Sequence, residues 1–443
     1  MTRRLICTHK CLGAGSQFVT ALTPESLERD KNFPFNFIVN VFDGGFFGFG
    51  MGFASFVTVL PLFVSTLTDS AILIGLIPAI HVVGWQLPQL FTAQGVSKQR
   101  QYKPMVMFRT VQERIPFLGL ALIAWFVPKI GPQLALGLTF MMLVWQGLGG
   151  GLAATAWQAM VAKIIPGDRW GLFFGAQSAA ANLLASGSAI LAGVILERMV
   201  SPQDYTLCFL LTFSAMAISY VFLGLTRESA SPPVPVIEGQ PGYWSSLGKI
   251  LRNDHNFRWF ILVRILAQFG TMGFSFYTVY AVRQYNITEG MAGILTGVLT
   301  IMQTAVNPLM GALGDRWSHR RVMGFGLCAA VLSSALAWLL PGVSWFYLVF
   351  SLAGIANVAV WTIAMAMTLE YGTETERPAY IGLANTLVAP TAFLIPLFGG
   401  WLADTSGYRA TFMASAIGGM VTVGVIALFL KDQRKIAHGS ITA

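Results

Sequence analysis

Residues 311–321 read Gly311-Ala-Leu-Gly-Asp315-Arg316-Trp-Ser-His-Arg320-Arg321. Long apolar runs lie on both sides of this short polar stretch. A fainter copy starts at residue 91, an offset of 220: Phe91-Thr-Ala-Gln-Gly95-Val-Ser-Lys98-Gln-Arg100-Gln. It keeps basic residues at Lys98 and Arg100, but Gly95 stands where the later copy has Asp315. Two such loops half a chain apart imply a duplicated architecture in which apolar helices alternate with short charged connections.

Composition says what kind of helices these are. Of 443 residues, 55% are apolar and only 11% charged, a balance that suits a chain solvated mostly by lipid. Twelve apolar segments can be marked, at 37–64, 71–92, 104–127, 133–162, 171–196, 205–225, 258–281, 290–312, 322–340, 345–369, 379–403 and 410–430. Each is close to the ~20 residues a spanning helix needs. The net charge of +9 is spread in small groups at segment ends, which marks topology and excludes a nucleic-acid patch. With both termini placed in the cytoplasm, all but seven of the 28 Lys and Arg fall on that side or in the tails. Lys129, Arg198, Arg283 and Arg409 fall outside, and Arg109, Arg114 and Arg264 lie within helices. This bias predicts a multi-pass protein with both termini inside, of the kind found in a bacterial inner membrane.

The pattern of a glycine, three residues, Asp-Arg and a basic cluster resembles the signature loop of the major facilitator superfamily. There it joins the second and third helices of each six-helix half. The resemblance covers roughly residues 32–430. Further internal matches agree with it: Pro88 with Pro308, Asn32-Phe33 with Asn256-Phe257, and Asp168-Arg169 plus Gly175 with Glu376-Arg377 plus Gly382. The expected fold is an all-α membrane protein of twelve transmembrane helices in two pseudo-symmetric six-helix bundles. The expected boundaries are a tail at 1–32, bundles at 33–226 and 258–430, a linker at 227–257 and a tail at 431–443. The linker holds Ser-Pro-Pro-Val-Pro and Gly-Gln-Pro-Gly, extended in character, and then an interfacial helix from Trp244 to Leu251. The resemblance also implies a conformational latch at Gly311, Asp315, Arg316, Arg320 and Arg321; at a helix end, Asp315 can pair with Arg or face another helix's positive N-terminus. Topological anchoring alone is the plainer reading. Without an acid at Gly95, any latch should be stronger in the second half.

Ionisable residues inside the membrane are rare and by default functional candidates. Asp43, Arg109, Glu113, Arg114 and Arg264 qualify. Arg109 and Glu113, four apart, can pair on one helix face, and the group with Arg114 reads as structural. Asp43 admits two readings, a partner in an ion pair or a site of ion coupling. Arg264 has no partner in its own helix and suits a negative solute group or a salt bridge at the gate. In the family, helices 1, 4, 7 and 10 line the cavity. The resemblance therefore implies a substrate site from Trp145, Gln146, Arg264, Gln268, Thr271, Asn357 and Trp361, each of which also suits a helix–helix contact. His81 reads as a packed residue. Gly44, Gly48 and Gly52 make a face for close helix approach.

Other chemistries lack their motifs. No phosphate-binding loop, zinc-protease helix or nucleophile elbow is present, so neither an enzyme nor a bound cofactor is expected. Cys7, His9 and Cys11 are spaced to suggest a metal, though no metal site is expected. Leu143 replaces the helix-4 arginine of proton-driven efflux relatives, and helix 5 lacks their Gly-Pro pair. The expected function is secondary active transport of a small organic solute by alternating access. Its expected partners are that solute, membrane lipids and a coupling ion such as the proton, with no nucleic acid and a monomeric chain. A non-transporting sensor and an uncoupled facilitator are the alternatives.

Overall fold

The computed structural model describes residues 24–232 and 243–434, and every regular element among them is helical. The first span is α1 (Pro24–Phe53) and α2 (Val59–Ser65), a broken segment where the apolar pattern predicts one piece. The break has a local cause: Ser55 Oγ accepts from the backbone N–H groups of Val57 and Thr58, an alternative to continuing the helix. The second span, α3 (Ala71–Gln86) and α4 (Gln89–Ser97), is interrupted at Pro88. Then come α5 (Lys103–Ile130), α6 (Pro132–Ile164), α7 (Trp170–Arg198) and α8 (Gln203–Gly224).

The second half repeats the plan. Its first span is α10 (His255–Thr271), a 3₁₀ turn (Met272–Phe276) and α11 (Tyr277–Tyr285). There follow α12 (Glu289–Arg316), α13 (His319–Leu339), and α14 (Ser344–Val358) continued through a π turn (Ala359–Ile363) into α15 (Ala364–Thr368). The eleventh span breaks before Pro390 into α16 (Arg377–Thr386) and α17 (Ala389–Ser406), and α18 (Tyr408–Leu428) is the twelfth. Eleven of these spans are long and apolar enough to cross a membrane. The remaining one is the first, whose hydropathy is lowered by Asn36, Asn40, Asp43 and its glycines. Its length and packing match the others. A Cβ at Gly48 would run into the Ala181 backbone, and one at Gly52 into the Ala185 carbonyl, so α1 lies directly on α7.

Between the halves, α9 (Tyr243–Asn253) occupies the predicted surface helix. It buries Leu247 and leaves Trp244 60% exposed. Burial pushes the Tyr243 phenol up to about 12, so it remains a donor, and it donates to the Leu90 carbonyl at 2.7 Å. The extended linker motifs and the Cys7, His9 and Cys11 cluster fall largely or wholly outside the described residues.

The apolar cores show how the halves meet. At the end remote from the Lys- and Arg-rich loops, one core draws only on first-half residues, including Phe63, Phe117 and Phe209. Another there draws only on the second half, including Tyr277, Phe346 and Phe412. At the basic end a third core mixes both, joining Val96, Tyr102 and Phe173 to Ala366, Leu369 and Ile381. The halves are fused at the basic end and separate at the other.

Candidate functional site

Two helix pairs make the fusion, and both use the glycines that match between the halves. On one side α7 meets α12. A Cβ on Gly171 or on Gly311 would strike the other's carbonyl oxygen, and one on Gly175 would lie 2.9 Å from the Pro308 Cα. On the other side α16 meets α4, and a Cβ on Gly382 would lie 2.8 Å from the Leu90 Cα. Only glycine permits such approach. Among the described residues, the hydrogen bonds and the ion pair that join the two halves all lie towards the basic end.

The α7–α12 contact brings Asp315 to the start of α7. Its Oδ1 accepts from Gly171 N at 2.8 Å and its Oδ2 from Leu172 N at 2.6 Å. Those are helix-terminal N–H groups with no intrahelical partner, at the positive end of the helix dipole. Fully buried His319 stands behind the carboxylate, with Nε2 3.4 Å from Asp315 Oδ1 and Nδ1 2.7 Å from Glu370 Oε1. Arg434 completes the cluster, donating to Glu370 Oε1 at 2.7 Å and to the Asp315 carbonyl at 2.7 Å. Arg320 turns away to the Ile426 and Ala427 carbonyls that end α18. Arg316 and Arg321 are exposed.

The α4–α16 contact is built from neutral amides. Asn385 Nδ2 donates to Gln89 Oε1 at 2.7 Å, and the Thr386 hydroxyl donates to the Gln86 carbonyl at 3.1 Å while accepting from Leu90 N. Arg264 extends this network. Its Nη1 donates to Asn385 Oδ1 at 2.9 Å and to the Ala384 carbonyl at 3.0 Å. Arg264 is 7% exposed, and no described carboxylate pairs with it.

The remaining candidate residues divide by half. Gln146 is fully buried and meets His81 Nδ1 at 3.0 Å, while Trp145 donates to Gln112 at 2.9 Å, so both are engaged within the first half. The Thr271 hydroxyl bonds back to the Ala267 carbonyl of its own helix. Gln268 and Asn357 are half-buried. Trp361 is 53% exposed and lies 5.7 Å, ring to ring, from Trp85 of the first half. Asp43 accepts from the Ser219 hydroxyl at 2.6 Å and lies 3.6 Å from Arg114, which also donates to Thr110 and the Met216 carbonyl. The Arg109–Glu113 pair expected from spacing does not form. Arg109 instead reaches across to the Leu152 carbonyl at 3.2 Å. Glu113 turns towards Gly150 and Trp85 and has no hydrogen bond or ion pair among the described residues. No group of three potential metal ligands occurs among them.

Sequence reasoning passed over Gln89, Asn385, Glu370, Arg434, Trp85 and Gly171. A signal for two of the contacts was present: Gly175 with Gly382 and Pro88 with Pro308 are the matched positions of the two closures.

Comparisons with known proteins agree with this architecture. The family model described as Major Facilitator Superfamily matches residues 265–441. A probable vesicular acetylcholine transporter-A from Danio rerio is 29% identical over 137 residues, 30% of this chain and 27% of that protein. Quinidine resistance protein 1 from Saccharomyces cerevisiae is 29% identical over 166 residues, 36% of this chain and 29% of that protein. The chain thus spans less than a third of the length of these curated relatives. In fold it is similar to the E. coli fucose:proton symporter, with a TM-score of 0.71 at 13% identity over 89% of this chain and 98% of that one. A bacterial homologue of the iron transporter ferroportin, solved in an outward-facing state, gives 0.69 at 13% identity over the same shares. The resemblance read from the loop motif and the twelve-helix, two-bundle fold are both borne out, with no subfamily singled out.

Proposed function

We propose that this major facilitator superfamily chain is a secondary transporter that moves a small organic solute across a membrane by alternating access, with the basic end and both termini in the cytoplasm. The conformation described here is then outward-open. The halves at 33–226 and 258–430 would rock about the central cleft.

One observation carries the reading. Gly193 lies eighteen residues beyond Gly175 on α7, and Gly293 lies eighteen residues before Gly311 on α12. Eighteen residues make five whole turns, so each outer glycine repeats the face of its inner counterpart, about 27 Å further along. The inner glycines are in van der Waals collision range of the opposite helix, whereas a Cβ on Gly193 or Gly293 would meet nothing within 4 Å. A helix pair with a matched small-residue stripe, closed at one end and parted at the other, suits a rocking motion that alternately closes each end.

Solute recognition is assigned to Arg264, whose Nε and Nη2 make no hydrogen bond to other described residues, with Gln268, Thr271, Asn357 and Trp361 from the second half. Gln146 and Trp145 contribute from the first half once their present partners yield. Asp43, paired with Arg114, is the candidate for ion coupling. Arg264 is buried with no carboxylate paired to it among the described residues, and Glu113 has only the field of Arg114, itself paired to Asp43, which favours a solute bearing an ionised group. The bacterial plasma membrane is the proposed location, and a monomer the proposed working unit.

The test is flux in proteoliposomes, with and without a pH gradient, over anionic and cationic amphipathic solutes. Arg264→Ala should remove transport of anions, and Glu113→Gln that of cations. Gly293→Val should leave the melting temperature within error yet block flux of any solute. Saturable binding with no flux under every gradient would instead establish the sensor reading, and full flux in Gly293→Val would refute closure along this stripe.

A further inference from the structure

At the basic end, between the start of α1, the ends of α6 and α8 and the start of α16, lies a cavity of about 340 Å³. Four cations line it: Arg29, Lys163, Arg227 and Arg377, against one carboxylate, Glu374. Two of the four are already compensated. Arg29 pairs with Asp30 at 3.3 Å, and Lys163 Nζ lies 3.2 Å from Glu228 and 4.0 Å from Glu374. The other two have no ion pair among the described residues, Glu374 acting on Arg377 only from beyond salt-bridge distance.

Both of these guanidinium groups are held in the same way. Arg227 lies over the Phe35 ring, 4.0 Å from its centroid, and Arg377 lies 5.2 Å from that of Trp170. An aromatic ring covers a guanidinium's face and leaves its N–H edge free to bind. The mounting is firm on each side. Asn36 clamps the Arg227 backbone, accepting from its N–H at 2.8 Å and donating to its carbonyl at 2.9 Å. Arg377 Nε is fixed on the Leu369 carbonyl at 3.0 Å. Arg227 is the first residue of the linker, clamped to α1 of the first half, and Arg377 belongs to the second half.

From this we infer an anion-binding site that takes a phosphate group between Arg227 and Arg377. A guanidinium fork binds carboxylate and phosphate alike in bidentate fashion, but a phosphate has oxygens enough to meet two forks at once, and the cavity exceeds what a single orthophosphate fills. The occupant is a pyrophosphate-like soluble anion or the headgroup of an anionic phospholipid. One anchor is clamped to the first half through Asn36 and the other lies in the second half, so the two converge only while the basic end is shut. Bound phosphate therefore favours this conformation over the inverted one, in proportion to its differential affinity. Binding can be read without any transport, so this inference and the transport reading fail separately.

The test uses the full-length protein in a neutral detergent, with thermal unfolding followed against sodium pyrophosphate and against sodium chloride of equal ionic strength. Pyrophosphate at ten times its Kd should raise the wild-type melting temperature by roughly 2 °C. Arg227→Gln and Arg377→Gln should each abolish the rise. Lys249→Gln, an exposed basic position on α9 away from the cavity, should keep it. A parallel arm compares nanodiscs of phosphatidylcholine alone with nanodiscs containing phosphatidylglycerol. A shift confined to phosphatidylglycerol and lost in both arginine variants assigns the site to lipid. If a variant does not fold, calorimetric titration of the wild type decides, since a site requires saturable heat. The inference is overturned if neither phosphate source acts on the wild type, or if Lys249→Gln and the arginine variants respond alike.

Discussion

The two contacts that shut the basic end occupy equivalent places in the two halves, yet they are built from different chemistry. Where α12 meets α7, an ionised side chain, Asp315, caps the opposing helix and is backed by His319, Glu370 and Arg434. Where α4 meets α16, the equivalent position is Gly95, and the joint rests on neutral amides and a hydroxyl, Gln89, Asn385 and Thr386. The glycine approach is common to both; the polar reinforcement is not. Backbone proximity therefore came with the shared architecture, while each joint acquired its own lock. A charge-assisted bond contributes about 1.5–3 kcal/mol and a neutral one nearer 1, so the α7–α12 joint should dominate the energy of closure.

The largest effect should come from removing the shared feature. In Gly311→Leu the new side chain meets the Gly171 backbone, which cannot move aside as a flexible side chain could. Overpacking of this kind costs about 1–3 kcal/mol, here concentrated on closure. We expect loss of flux, a lower melting temperature and alkylation of a cysteine placed at Leu172, which closure would otherwise shield. Asp315→Asn comes next. One oxygen still accepts from α7, but the charge that suits the helix terminus is lost, leaving His319 and Arg434 to face Glu370 alone. At about 1.5–3 kcal/mol, the closed state should lose roughly tenfold to a hundredfold in population, read as slower transport and greater reactivity at the same cysteine. Asn385→Ala should do less to closure and more to recognition. It removes the neutral bond to Gln89 and leaves Arg264 Nη1 with the Ala384 carbonyl alone, so solute affinity should change by more than the melting temperature. An Asn385→Ala defect as large as that of Asp315→Asn would erase the contrast between the joints.

Much of this was legible in the sequence, for reasons that name themselves. The twelve spans follow from lipid demanding about twenty apolar residues each, and the basic end from the placement of Lys and Arg. Helix breaks at Ser55 and Pro390 were missed because hydropathy does not register a side chain capping its own backbone, or a proline inside an apolar run. For Asp315 an Arg or a helix N-terminus is expected as partner; Arg434 and the start of α7 both approach it, and nothing local says that Gly171 will arrive. Arg109 and Glu113 show the converse error. Spacing of four allows a pair, but α6 presents the Leu152 carbonyl to the arginine, and the pair is not made. The lock residues Glu370, Arg434 and Asn385 come from three separate spans or their flanks, and only the folded chain brings them to their partners.

The smallest predicted effect tests whether the missing acid in the first half is a defect or simply a different solution. A Cβ at Gly95 would have one neighbour within 4 Å, Arg109 Nη2 at 3.7 Å. Gly95→Asp therefore has room, and the new carboxylate would find a cation of its own helix bundle rather than the start of α16. The α16 start carries no side-chain cap, and its Arg377 N–H already donates to the Thr373 carbonyl at 2.8 Å. A partly exposed pair of this kind is worth about 0–1 kcal/mol, and replacing glycine within α4 adds a similar small gain. Melting temperature and flux should both stay near wild type. A several-fold rise in flux or in protection of the basic end would mean that the new acid reaches α16 after all, and that the first-half joint had been waiting for the charge it lacks. With neither change, the inequality between the two loops is a settled division of labour: one joint locks by charge, and the other couples closure to Arg264 through amides that a bound solute can compete with.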